Sequence, residues 1–340
     1  MNKINHFILC CLFLLSLGSC RSETKQVDML LYNQDDLFIN SFYRQIVAMA
    51  EDSVNLTVHD ARNSQILQNE TLELRLREGS DLMLINPVDR LGAYSVIKRL
   101  RSENIPVIYF NRQPLHKDLL LWEQSWYVGA RAEQSGQMQA DLVMDLFGGD
   151  PENLNEYDRN GDGKIQTVIL KGEQGHQDAE IRTSEVVGSF RRNGFKLDIL
   201  VTEVANWDRN EAYEKMGEIL KNFGDDIELI LSNNDAMALG AISRMRQSGV
   251  FTDSNGNGRI DRMDEGWIPV LGIDGIEQAV EQIQAGYLYG TVENDSASMA
   301  RAIAALSQAV LEETPLSDLP FPVEDDKYIW IDYQPFIMEN

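Results

Sequence analysis

The chain has 340 residues, of which 54 are Asp or Glu and 30 are Lys or Arg, for a formal net charge of −24. That balance argues against a nucleic-acid partner and suits an exported protein; it says nothing about fold. After the first twenty residues, no apolar run is long enough to span a bilayer.

Residues 1–20 read as a targeting segment, with Lys3 as the positive start and Phe7 to Leu17 as the apolar core. The segment ends Leu17-Gly18-Ser19-Cys20, which resembles the bacterial lipobox, where the Cys becomes the lipidated first residue. An ordinary signal peptide cut near Ser19 is the alternative. Cys10 and Cys11 leave with the segment, so the mature chain keeps only Cys20 and has no disulfide available. Removing 20 residues from 340 leaves 320, enough for two domains.

In chain order, 21–26 is a polar tether and Val27 to Tyr32 is the first strand. A helix runs through Ile46, Val54 to Val58 is a second strand, and a helix with apolar spacing at Ile66, Leu72 and Leu76 leads to a third strand at 81–86. Another helix ends near Arg101, and Pro106 to Phe110 is a fourth strand. Tyr127-Val128-Gly129 is a crossing strand, followed by a helix from Glu133 to Leu146. The alternation then restarts, with strands at 167–170, 196–201, 228–231, 268–273 and 290–292 separated by helices; a last helix and a Pro-rich tail close the chain. This pattern predicts an α/β fold of two similar doubly wound parallel-sheet domains joined by hinge crossings. The expected division places 21–130 with 295–325 in an N-terminal domain and 131–294 with 326–340 in a C-terminal one.

Between the two halves, Asp158, Asn160 and Asp162 occupy positions 1, 3 and 5 of an EF-hand-type loop. Gly163 sits at the sharp turn, Lys164 offers its carbonyl at position 7, and Gln166 is at position 9. Hard oxygens at this spacing suit Ca²⁺. Position 12 is Ile169, inside a strand, so a complete site needs a carboxylate from elsewhere in the chain.

Polar and aromatic residues gather just beyond the predicted strands: Tyr32, Asp36 and Phe38; Asn111; His176, Asp178 and Arg182; Trp207; Asn234; Asp274; and Asn294. In open α/β sheets, ligands bind at the carboxyl ends of strands. Sugar hydroxyls need carboxylate, amide and guanidinium partners, and the C–H faces of a pyranose need flat aromatic walls. Phe38 from one domain and Trp207 from the other could supply the walls. Taken singly, Asp36 and Asp178 fit helix N-caps equally well, Asn234 fits a helix cap, and Phe38 and Trp207 fit core positions.

These residues, with Tyr127-Val128-Gly129, the 158–166 loop, Gly175-His176-x-Asp178-Ala179-Glu180-x-Arg182-Thr183, Trp207-Asp208, Asn233-Asn234-Asp235, Gly272-Ile273-Asp274 and Val292-x-Asn294-Asp295, resemble the galactose/glucose-binding proteins of bacterial ABC sugar uptake over about 27 to 335. The resemblance implies a periplasmic binding protein type I architecture with a three-segment hinge. It implies that Asp36, Asn111, His176, Asp178, Arg182, Asn234, Asp274 and Asn294 hydrogen-bond the sugar, that Phe38 and Trp207 stack on it, and that Tyr32 lines the cleft. It assigns the missing calcium carboxylate to Glu228. It also implies D-glucose and D-galactose as ligands, with Asp36 serving either epimer at the 4-hydroxyl.

The chain departs from that pattern in its lipobox and in an insertion at 251–266. There Asp253, Asn255, Asn257, Gly258, Arg259, Asp261 and Asp264 fit positions 1, 3, 5, 6, 7, 9 and 12 of a second calcium loop; an acidic surface hairpin is the alternative. The expected protein is a monomeric, lipid-anchored sugar receptor that closes on its ligand and docks on an ABC permease. A sugar sensor presenting its ligand to a chemoreceptor or sensor kinase would have the same site. A glycosidase is disfavoured, because hydrolysis needs a dedicated carboxylate pair rather than a site crowded with Arg, Asn and His donors.

Overall fold

The computed structural model describes residues 24–50, 54–262 and 265–338; the targeting segment, Cys20 and Asp264 lie outside the described residues. In the first half, strands β1 (Gln26–Leu31), β2 (Asn55–Asp60), β3 (Leu82–Ile85), β4 (Val107–Phe110) and β5 (Ser125–Gly129) alternate with helices α1 (Leu37–Ala50), α2 (Gln65–Glu78), α3 (Ala93–Glu103) and the short α4 (His116–Leu119). The second half begins with α5 (Ala132–Leu146) and repeats the alternation. Its elements are β6 (Ile165–Lys171), α6 (Gln177–Arg192), β7 (Leu197–Val204), α7 (Arg209–Phe223), β8 (Leu229–Ser232), α8 (Asp235–Gln247), β9 (Val270–Asp274), α9 (Glu277–Gln284) and β10 (Gly290–Asn294). Helix α10 (Ser296–Leu311) and strands β11 (Tyr328–Trp330) and β12 (Tyr333–Ile337) complete the described chain.

The central strands are apolar along their whole length. Leu82 to Ile85 and Val107 to Phe110 are buried at every position, as a parallel sheet covered on both faces requires. Helix α1 turns Phe38, Ile39, Phe42, Tyr43 and Ile46 inward at helical spacing, against the sheet and α10. The two six-stranded sheets have orders β11-β5-β4-β3-β1-β2 and β12-β10-β9-β8-β6-β7. Pairing is parallel except for β10 with β12. The strand order reverses between β1 and β3 and again between β6 and β8. Those two switch points open crevices that face each other across the domain boundary, and the segments that line them follow β1 and β6.

The structure differs from the sequence reading in two places. Ile66, taken with Leu72 and Leu76 as one apolar stripe, is 72 % exposed, while the other two are buried. The buried face of α2 is Gln68, Leu72 and Leu76, and Ile66, six residues before Leu72, points away from it. The tail, assigned wholly to the second domain from 326, instead splits: β11 pairs with β5 in the first sheet and β12 with β10 in the second. The chain therefore crosses between domains near 130, near 295 and at 331–332. Lys327 fixes the last crossing, because its buried ammonium donates to the carbonyls of Trp122, Glu123 and Ser125.

Candidate functional site

A cavity of about 40 Å³ lies between the domains. Tyr32, Asp36, Phe38 and Asn111 line it from the first domain, and His176, Asp178, Arg182, Trp207, Asn234 and Asp274 from the second. These ten residues, drawn from the ends of six separate strands, thus meet in one place. Outward, past Tyr32, Asp36, Arg112 and Trp207, the cavity meets a polar cleft mouth of about 590 Å³.

Several of these side chains do two jobs. Asp36 accepts the Ile39 N–H at 2.9 Å, capping α1, and the Tyr32 hydroxyl at 2.5 Å. Asn234 accepts the Met237 N–H as the cap of α8 and donates to the Trp207 carbonyl. The cap and ligand readings of these residues are therefore compatible. Asp178 is not a cap: His176 holds that position in α6, its Nδ1 accepting the Asp178 N–H at 3.2 Å. With Nδ1 as acceptor, a neutral ring carries its proton on Nε2 and can donate from there. Burial, reinforced by Arg112, Arg182 and Arg90, pulls the His176 pKa down to about 2. Its ring nitrogens should therefore show no titration between about pH 5 and 8 by NMR of the closed protein; a midpoint near 6.5 would mean the ring is solvated and charged there.

Burial raises the pKa of Asp178 and Asp274, and the Arg182 guanidinium opposes it in both. Arg182 is 4 % exposed, donates to the Asn233 carbonyl at 2.6 Å and the Tyr333 hydroxyl at 3.0 Å, and lies 3.7 Å from Asp274. Burial alone would lower its pKa, but Tyr333, Asp274 and Asp178 hold it above its usual value. Its Nε has no protein partner. Asn294 ends β10, is buried with its Oδ1 unpartnered, and does not line the closed cavity.

Sequence reasoning missed several residues that shape the site. Arg112 sits 3.7 Å over the Tyr32 ring and pairs with Glu173 of the other domain at 3.4 Å. Gln113 accepts from Gln177 across the same cleft. Asn86 donates to the Asn111 side chain, and the Tyr127 hydroxyl to the Asn111 carbonyl, fixing Asn111 in a left-handed conformation (φ 61°). Trp207 (φ 66°) and Asp274 (φ 128°) also have positive φ, which is uncommon for such residues and clusters at binding sites. Contacts made only after folding leave no periodicity or spacing to find.

At 158–166 the loop closes on itself: Asp158 accepts the N–H of Gly161 and Gly163, Asn160 that of Asp162, and Asp162 that of Lys164. Gly163 turns the chain with φ 71°. Glu228, immediately before β8, reaches this loop, its carboxylate accepting from Arg159 and Asn160 on one oxygen and Gln166 on the other. Gln166 Oε1 is buried with no partner. Among the described residues no three His, Cys, Asp or Glu side chains converge as a metal cluster. The donor set here is two Asp, one Glu, amide oxygens and a carbonyl, a mixture that fits Ca²⁺. Ile169, at the position where the loop lacked a ligand, is buried in β6.

The 253–261 loop has the same internal bonds. Asp253 accepts from Gly256, Asn257 and Gly258, Asn255 from Asn257, and Asn257 from Arg259. The carboxylate that closes it is Glu265, which accepts from Ser254 and Asp261 at 2.5 and 2.9 Å as Glu228 does from Arg159 and Gln166. Position 12 by count is Asp264, which lies outside the described residues.

Two six-stranded sheets, parallel but for the β12 edge, three crossings and an interdomain polar cavity define a two-domain solute-binding protein. The chain belongs to the periplasmic binding protein domain family, which it matches over residues 27–315. It is 34 % identical over 301 residues to the D-galactose/methyl-galactoside binding periplasmic protein MglB of Haemophilus influenzae, covering 87 % of this chain and 85 % of that one. It is 28 % identical over 247 residues to a putative rhizopine-binding protein of Rhizobium meliloti, covering 72 % and 70 %. Its fold is shared with an ABC transporter solute binding protein from Bacillus halodurans with bound myo-inositol, at a TM-score of 0.74, 23 % identity and coverage of 94 % and 96 %. The relatives are binding proteins, and this chain is not an enzyme. Among the described residues, no helix is long and apolar enough to cross a membrane.

Proposed function

We propose that the protein binds D-glucose and D-galactose between its domains and delivers them to an ABC permease. The carrying observation is the interdomain cavity in which Phe38 and Trp207, from different domains, meet Asp36, Asp178, Asp274 and two amides, with Arg182 3.7 Å from Asp274. The unpartnered Arg182 Nε adds support, since a buried polar atom without a partner is costly and a sugar hydroxyl can satisfy it. Asp36, already bonded to Tyr32, offers its carboxylate to an axial or an equatorial 4-hydroxyl. The relative from Haemophilus influenzae is named for D-galactose and methyl-galactoside, which agrees.

Sugar contacts both domains and so favours the closed form. Tethering through Cys20 would hold the receptor at the membrane face. One Ca²⁺ at Asp158, Asn160, Asp162, Lys164, Gln166 and Glu228 would staple the loop to β8. The loop at Asp253, Asn255, Asn257, Arg259 and Asp261 would take a second and weaker ion, with Glu265 as its closing carboxylate.

Calorimetric titration of the signal-free protein with D-glucose, D-galactose and D-xylose, with and without Ca²⁺, tests this reading. Tight one-to-one binding of both hexoses is expected. Trp207→Ala should weaken it about 100-fold, the loss of one buried aromatic wall worth about 2–3 kcal/mol. If neither hexose binds with calcium present, the sugar assignment fails.

A further inference from the structure

Asp274 presents its carboxylate to the cavity from a backbone conformation that side chains rarely adopt, φ 128°, followed by Gly275 at φ 72°. Something must hold this turn against relaxation. The first residue of α8, Asp235, lies behind it with no exposure to solvent. One carboxylate oxygen accepts the N–H of Gly275 at 2.7 Å and of Ile276 at 3.0 Å. The other accepts the Thr291 hydroxyl at 2.7 Å, from the neighbouring strand β10. The Gly275 N–H also approaches Thr291 Oγ1 at 3.3 Å. A Cβ on Gly272, two residues before Asp274 on β9, would stand 1.9 Å from Asp235 Oδ1, so only glycine leaves room for this carboxylate. Burial pushes the Asp235 pKa up to about 6, which leaves it ionised, and accepting from all three donors, above that pH.

We infer that Asp235, with Thr291, is a positioning residue that sets sugar affinity by clamping the strained turn on which Asp274 meets the ligand. Asp235 itself does not line the cavity. A bland alternative is an acid at a helix start that supports the fold alone. The two differ in how Asp235 couples to Asp274. The inference rests on the sugar reading above, so its test has one arm that does not need sugar.

The experiment is a double-mutant cycle on D-galactose affinity, with amide hydrogen exchange alongside. Asp235→Ala should weaken binding about 100-fold and Thr291→Val about 10-fold, while in an Asp274→Ala background each should cost no more than about twofold further. Asp235→Asn keeps an oxygen for the two N–H groups and an N–H for Thr291 Oγ1, and should stay within about fivefold of the parent. Should Asp235→Ala not fold, Thr291→Val carries the same cycle. The Gly275 and Ile276 amides should be protected in the parent and lose protection in Asp235→Ala or Thr291→Val. Equal fold-losses with and without Asp274, or unchanged protection of those two amides, would overturn the inference. If the parent protein binds no D-galactose, the sugar reading falls, and the exchange arm still decides whether Asp235 holds the turn.

Discussion

Arg182→Met is expected to weaken hexose binding by at least about 1,000-fold, because removing one partner of a buried charge group costs about 3–5 kcal/mol. Methionine fills a similar length but carries neither charge nor donors. The Asn233 carbonyl and the Tyr333 hydroxyl lose their donor, and Asp274 and Asp178 lose the cation that opposes their burial. Arg182→Lys should not rescue, since one ammonium cannot serve Asn233, Tyr333 and a sugar hydroxyl in the plane a guanidinium spans. The variant should also change how stability depends on pH. Burial already raises the folded pKa of both acids above their unfolded values, and loss of Arg182 raises it further. The folded state then holds protons that the unfolded state releases. Stability is present below the unfolded pKa and is lost as pH rises through the folded one. The unfolding temperature of Arg182→Met should therefore fall more steeply than that of the parent as pH rises above the ordinary carboxylate range. Calorimetry giving a Kd within tenfold of the parent would remove Arg182 from the ligand set.

Calcium removal is expected to have the second largest effect, on stability rather than recognition. An ion present at about a thousand times its Kd stabilises the folded state by about 4 kcal/mol. For domains of this size that corresponds to a midpoint shift of roughly 8–16 °C. A chelator should lower the unfolding temperature of the parent by this order, and should leave a Glu228→Gln, Asp158→Asn double variant nearly unmoved. The reason is topological. The loop joins α5 to β6, and Glu228 leads into β8, so one ion would tie two adjacent strands of the second sheet at their amino ends. A chelator shift equal in parent and variant would place the calcium effect elsewhere.

Much of the architecture was legible because parallel sheets covered on both faces write themselves as short uninterrupted apolar runs. Val107 to Phe110 and Leu229 to Leu231 read as buried strands at that length, between segments of helical periodicity. The tail resisted for the opposite reason. Residues 328–337 mix polar and apolar positions without a clear period, and β12 pairs antiparallel at a sheet edge with Gln334, Pro335 and Ile337 exposed. Such strands follow their neighbour's hydrogen-bonding edge more than their own pattern. Ile66 misled because residue type alone groups it with Leu72 and Leu76; at six residues from Leu72 it stands off the face that Gln68, Leu72 and Leu76 bury.

The candidate site divides in the same way. By itself the sequence determined which polar and aromatic residues stand at strand ends and how the oxygens of the 158–166 loop are spaced, because these are local consequences of alternation and turn chemistry. Only the tertiary structure decided that Arg112 reaches Glu173 across the cleft, that Tyr333 stands behind Arg182, and that Glu265 closes the second loop. It also decided that Asn111, Trp207 and Asp274 take left-handed backbone conformations. Strain of this kind is set by neighbours distant in sequence, and no residue carries a signal for a conformation that its surroundings impose.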